Sequence, residues 1–404
     1  MKRRHKANEE NLRMLERAIA NKDPGVKHFQ LQSRSISDLY NDDDPRAEEK
    51  NWFLSFCNKN EVERIFNPIS GADYLLKLRA EALFDSTRLE RVILARKRLL
   101  GDKWSFSNHF RTKEFNKYIH FLPEEDREVI KEVPMGFLFT FEANGYCMKT
   151  EFGNIIVVSE ALRHFFYYMN LGFLNFGEIP SDVRSSSRMI AIRTMLETEA
   201  MDFELDPRGK VPKNIHNQCT NIANKQIEFI FGHEIAHHLL NHLDENNTTQ
   251  RPLTRGSLEQ YGKRKNHVYY NYLQKQEFDA DLTALDRPIF KSRMEYQYLV
   301  LAAILFFLYL DIFEAVSNYI YPPINSQKTH PKPLERFWNV YNSTKNGFDL
   351  FSEEQIMEFL NMTTEYKEYL IREHIPYNID LYEMYGSIYL GQWRGKKLVD
   401  RVDY

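Results

Sequence analysis

Gly232-His233-Glu234-Ile235-Ala236-His237-His238-Leu239-Leu240-Asn241-His242 is the stretch on which the reading of this 404-residue chain turns. An α-helix advances about 100° per residue, so His233 and His237 stand one turn apart on the same face. Two imidazoles so placed can bind one Zn²⁺, and Glu234 can reach a water at the metal as general base. Phe229, Ile230 and Phe231 precede the motif, and Leu239, Leu240 and Leu243 follow it. That apolar frame predicts a buried helix, and buried ionisable groups need partners.

A catalytic zinc needs a third protein ligand and an open position. The pattern with Gly seven and His ten residues after the first ligand is excluded, because Leu240 and Leu243 stand there. On a continuing helix His242 falls on the face opposite His233, and His238 points about 140° away, so both read as packing or surface residues. Gln276-Glu277-Phe278-Asp279-Ala280-Asp281 continues to Leu282 and Leu285 as a second amphipathic helix. Glu277 and Asp281 share a face there. Glu277 can complete a His₂Glu set, and Asp281 can accept the free ring N–H of a ligand histidine. Ala280 is small enough to let two helices approach closely. Further on, Thr329-His330-Pro331-Lys332-Pro333-Leu334-Glu335-Arg336 places a proline-fixed loop before a new apolar run. His330 or Arg336 can face a developing oxyanion or bond to the ligand shell.

These three elements, in this order, resemble the gluzincin metallopeptidases, and most closely the HtpX and CAAX-prenyl-protease group. The resemblance covers about 229–339. It implies that His233, His237 and Glu277 bind zinc, that Glu234 is the base and that Asp281 supports a ligand. It also implies a late active-site loop in which His330 and Arg336 assist catalysis. That group is embedded in membranes by several spanning helices, and this chain has no clear one. The His-Glu-x-x-His-His-Leu-Leu run is also similar to soluble zincins of the Lit phage-exclusion and IrrE/ImmA regulatory kinds, which act on one intracellular protein.

Hydrophobic residues make up 43% and charged residues 27% of the chain, the balance of a soluble globular protein. A net charge of −3 gives no reason to expect nucleic acid or an anionic membrane as partner. The basic N-terminal residues lead into no apolar run, which predicts no secretory signal. Cys57, Cys147 and Cys219 lack metal or redox spacing and read as reduced, buried thiols of a cytoplasmic protein. Leu299 to Leu310 is continuously apolar, but a membrane span needs about twenty residues, so a buried helix behind the metal site is expected.

The expected organisation is a polar arm over 1–50, a helical region over 51–130, a zincin-like core over 131–345 and a helical C-terminal region over 346–404. A helix is expected near Glu9 to Ala20 and a linker at Asn41-Asp42-Asp43-Asp44-Pro45. The basic helix Arg88 to Leu100 reads as a solvated face. Gly136 to Ala143 and Tyr146 to Thr150 flank Asn144-Gly145, which predicts a two-residue hairpin. Its sheet is a candidate to hold extended substrate. Ser159 is placed to cap the helix that follows the Asn154–Val158 strand. Residues 244–266 read as a polar insertion, a lid or a segment without a role. One of Tyr261, Tyr269, Tyr270 and Tyr272 can donate a hydrogen bond to an oxyanion. The fold class expected is therefore α+β, helix-dominated with a small β-sheet. The function expected is zinc-dependent hydrolysis of a protein or peptide substrate. The alternative is a non-catalytic interaction or sensing protein on the same scaffold, a reading that retention of Glu234 disfavours, since a structural zinc site needs no base.

Overall fold

The computed structural model describes residues 39–41, 43–84, 86–140, 143–177, 179–244, 246–253, 265–322, 331–393 and 398–400. The expected helix near Glu9 lies outside them. The chain divides into two units, 1–52 and 53–404. In the first, Asn51 closes on Tyr40 through its side-chain amide, accepting from Tyr40 N at 2.8 Å and donating to Tyr40 O at 3.0 Å. Helix α1 (Ala47–Phe53) begins directly after the expected breaker at Pro45.

The second unit is α+β and helix-dominated, with a small mixed sheet. It begins with α2 (Lys59–Phe66), α3 (Gly71–Glu81), α4 (Thr87–Leu100), α5 (Lys113–Phe121) and α6 (Glu124–Ile130). Asn58 caps α2 in a capping box with Glu61, which satisfies two otherwise orphaned backbone N–H groups. The expected solvated face of α4 is only partly so. Arg88 is buried against Asp202 at 2.7 Å, and Arg96 reaches Glu160 at 2.8 Å and Glu204 at 2.6 Å. Arg91 and Arg98 are the exposed ones.

The sheet contains β1 (Met135–Leu138), β2 (Gly145–Thr150), β3 (Gly153–Ser159), β4 (Thr248–Pro252) and β5 (Asn266–Tyr270), in the spatial order β1-β3-β2-β5-β4. The hairpin expected at Asn144-Gly145 is not formed. β1 pairs in parallel with β3, and the hairpin joins β2 to β3, closing at Thr150 opposite Gly153. The apolar run Ile155-Ile156-Val157-Val158 explains the difference, since all four are buried and a strand buried on both faces belongs in the sheet interior. The polar insertion is also more structured than expected, because β4 lies within it and pairs with β5, which begins at its last residue, from Thr248–Tyr270 to Pro252–Asn266.

Ser159 caps α7 (Glu160–Phe173), its hydroxyl accepting from Ala161 N at 3.2 Å. α8 (Ser181–Met195) packs on α7. The loop that follows carries a buried ionic network. Glu199 accepts from Arg193 at 3.0 Å and from Arg208 at 2.8 Å, and Arg208 reaches Asp202 at 2.9 Å. Glu199 also bonds the backbone N of Ile388, so this loop is tied to strand β6 (Gly386–Ile388).

Pro212 then starts α9 (Lys213–Leu239), which carries the histidine motif. Its residues from Gln226 to His237 are buried without a break, so this stretch is enclosed on all sides. α10 (Gln274–Asp286) and α11 (Arg293–Ile320) pack on it, and α12 (Pro333–Thr344) packs on both of those. The twelve apolar residues expected as a buried helix are the middle of α11, a helix of 28 residues long and apolar enough to cross a membrane; 67% of its most apolar window is buried within the protein. Phe306 and Phe307 meet Phe229 of α9 at ring distances of 5.8 and 5.7 Å. α13 (Glu353–Tyr369), capped by Ser352, packs on α11.

Gly232, inside α9, is required by a close approach. A Cβ there would lie 2.5 Å from the Tyr118 ring, whose hydroxyl donates to Ala284 O of α10 at 3.0 Å. Tyr118 therefore bridges the two helices through the gap glycine leaves. Gly232→Ala should destabilise the protein by about 1–3 kcal/mol despite alanine's better helix propensity, because the ring is anchored and cannot yield. Urea unfolding checks this, and an unchanged or higher midpoint would show that Tyr118 repacks freely.

Candidate metal centre

α9 brings the His233 and His237 rings together with centroids 4.7 Å apart and Nε2 atoms 3.1 Å apart. α10 crosses α9 with Ala280 fully buried. Glu277 on α10 puts carboxylate oxygens 3.5 Å from His233 Nε2 and 3.8 Å from His237 Nε2. One ligand atom from each of the three lies within 4.8 Å of the others, and all three residues are buried. Tetrahedral coordination with Zn–N near 2.0–2.1 Å separates two ligand nitrogens by about 3.3 Å, so the spacing and donor types suit zinc.

Charge supports the same fit. Asp281 Oδ1 lies 2.9 Å from His233 Nδ1. Arg336 of α12 donates to Asp281 through Nε at 2.7 Å and through a terminal nitrogen at 2.5 Å, and its other terminal nitrogen lies 3.2 Å from Glu277. One guanidinium thus faces the two carboxylates of Glu277 and Asp281, with that of Glu234 beside them. Burial alone would lower the His233 pKa, but hydrogen bonds to Asp281 and Glu277 outweigh it and raise it to about 9. The site therefore favours positive charge at this ring. His237 is shifted the other way, by burial and then by the His233 charge.

Glu234 is buried and opens, with His233 and Glu277, on a cleft of about 530 Å³. Gly145 of β2 presses against it. A Cβ on Gly145 would stand 2.8 Å from Ile230 and 3.1 Å from Glu234 Oε1. The glycine expected in a turn is instead the place where the strand meets the acid. β5 pairs with β2 at Met148 and Lys149, and Gly145, Tyr146 and Cys147 of β2 line the cleft.

Of the four tyrosines, Tyr261 lies outside the described residues. Tyr270 donates to Asn154 at 2.7 Å, and Tyr269 packs against the Tyr146 ring. Tyr272 stacks flat on His237, with centroids 3.5 Å apart and planes 6° apart. Burial, then Cys147, Glu234 and Glu277, push its hydroxyl well above the usual tyrosine range, so it stays a donor beside the acid. His330 also lies outside the described residues, while Pro331 and Pro333 line the cleft. Cys57, Cys147 and Cys219 are unpaired in disulfides and buried. His238 lies 3.3 Å from Cys147 Sγ, and burial lowers its pKa to about 4. The expectation that His242 occupies the opposite helix face fails, because α9 ends at Leu239.

Compared with protein-family models, curated proteins and solved structures, the chain matches none.

Arg336→Met should cost about 3–5 kcal/mol in the metal-free protein, because it strands two buried carboxylates without their cation. Urea unfolding measures the loss. A cost near the roughly 0–1 kcal/mol of an exposed ion pair would mean that water screens the cluster.

Proposed function

We propose that the chain is a zinc-dependent endopeptidase with a zincin-like core, hydrolysing peptide bonds of a protein inside the cell. The observation that carries this reading is the convergence of His233, His237 and Glu277 at a cleft that Glu234 also lines. Three protein ligands leave a fourth position open, which a structural zinc site usually fills with Cys or His. The reading also rests on the resemblance of the motif set to gluzincins. The cytoplasmic setting rests on three buried thiols that form no disulfide.

When bound, the zinc ion would polarise the scissile carbonyl and make water a better nucleophile at neutral pH. Glu234 takes a proton from the attacking water as the new C–O bond forms. As the C–N bond breaks, it passes that proton to the leaving amine nitrogen. The Tyr272 hydroxyl donates a hydrogen bond to the carbonyl oxygen as negative charge builds there. Asp281 holds the His233 ring, and Arg336 holds Asp281. Gly145, Tyr146 and Cys147 of β2 line the cleft, and an extended peptide laid along them brings the scissile bond past Glu234. The cleft volume, about 530 Å³, suits a few side chains of such a segment.

Turnover of a peptide library, read by mass spectrometry, tests the chemistry. Glu234→Gln should lower cleavage by at least about 10²-fold while zinc content stays unchanged. Glu277→Ala should lose both. Cleavage at the wild-type rate by Glu234→Gln would remove the general-base role and the mechanism with it.

A further inference from the structure

The two ligand histidines are held by different partners. The remote nitrogen of His233 faces a carboxylate, Asp281, the usual arrangement at a metal-binding imidazole. The remote nitrogen of His237 faces another imidazole. His237 Nδ1 lies 3.1 Å from His242 Nδ1, with the two rings edge to face and centroids 5.2 Å apart.

The backbone accounts for this contact. Asn241 takes the left-handed conformation with φ of 55°. Its N–H donates to His238 O at 3.1 Å, and the N–H of His242 donates to His237 O at 2.9 Å. These are the paired 5→2 and 6→1 bonds of a Schellman motif, with Asn241 at C′, His242 at C″ and His237 at C3. In that motif the C″ side chain returns to lie beside C3. The contact commonly joins two apolar side chains. Here it joins His242 to the histidine whose other nitrogen faces Glu277.

We infer that His242 is the positioning residue for His237, delivered to it by the capping motif that ends α9. The inference rests on the zinc reading above. With Nε2 of His237 committed to the metal, its ring hydrogen sits on Nδ1 and is donated to Nδ1 of His242, whose own hydrogen then sits on Nε2. Tyr272 holds the same ring by its face. His237 is thus fixed in tautomer by one neighbour and in plane by another. Asn241 is one of the residues that tolerate the left-handed conformation at C′, which lets this turn form tightly.

The test is the zinc affinity of the full chain, measured by competition with a chromophoric chelator, with folding followed by circular dichroism. His242→Phe keeps a ring against His237 but removes the acceptor. It should bind zinc about 10- to 100-fold more weakly, the usual cost of losing such a partner. His242→Asn places an amide oxygen where Nδ1 stood and should restore affinity close to wild type. Asn241→Gly, which keeps the left-handed turn, should leave affinity unchanged. Wild-type affinity in His242→Phe would overturn the inference while leaving the zinc reading intact. Equal weakening in His242→Asn and His242→Phe would also overturn it, by showing that no acceptor at that position matters. A wild-type protein that binds no zinc would overturn both.

Discussion

Buried negative charge is the constraint on which the rest of this structure depends. Glu277 and Asp281 are fully buried on α10, and Glu234 is nearly so on α9. Carboxylates in such surroundings cost several kcal/mol each unless cations and hydrogen bonds compensate. Arg336 supplies one positive charge and is held in its charged form by the two carboxylates it faces. The remaining deficit explains why the His233 ring, although buried, is drawn towards its charged form. A divalent ion between the two imidazoles and Glu277 would meet the same electrostatic demand with better geometry, since its ligands are then neutral imidazoles and a carboxylate.

Holding that cluster requires helices to approach more closely than ordinary side chains permit. Ala280 and Gly232 are where they do so. Tyr118 occupies the space over Gly232 and ties α9 to α10, the helices that carry the two histidines and the glutamate. Gly145 performs the corresponding service between sheet and helix, bringing β2 against Glu234. On the far side, the buried Arg193–Glu199–Arg208–Asp202 network fixes the loop that leads into α9. The helix is thereby anchored before it begins, and it ends in a cap whose last histidine returns to its own face.

The parts of the site legible in the sequence are those governed by helical periodicity. Spacings of four residues put His233 with His237 and Glu277 with Asp281, and neither depends on the rest of the fold. What the sequence reading missed depends on where a helix stops or on which strand is central. The opposite-face expectation for His242 assumes a continuing helix, whereas α9 ends at Leu239, and Asn241 after two leucines is a recognisable C′ signal. The Asn144-Gly145 pair is a sound local hairpin signal, but strand order is set by burial of Ile155–Val158, a non-local matter. The solvated reading of Arg88 fails because its partner, Asp202, lies far along the chain. Nothing in the sequence sets Tyr272 apart from its neighbours; the fold does so by stacking it on His237.

The most direct test of the account is a crystal of the zinc-supplemented protein measured on both sides of the zinc absorption edge. The account predicts an anomalous peak about 2.0–2.1 Å from Nε2 of His233 and from Nε2 of His237, with Glu277 as third ligand. A zinc-replete crystal with no peak at those three side chains, or with zinc bound elsewhere, would contradict it.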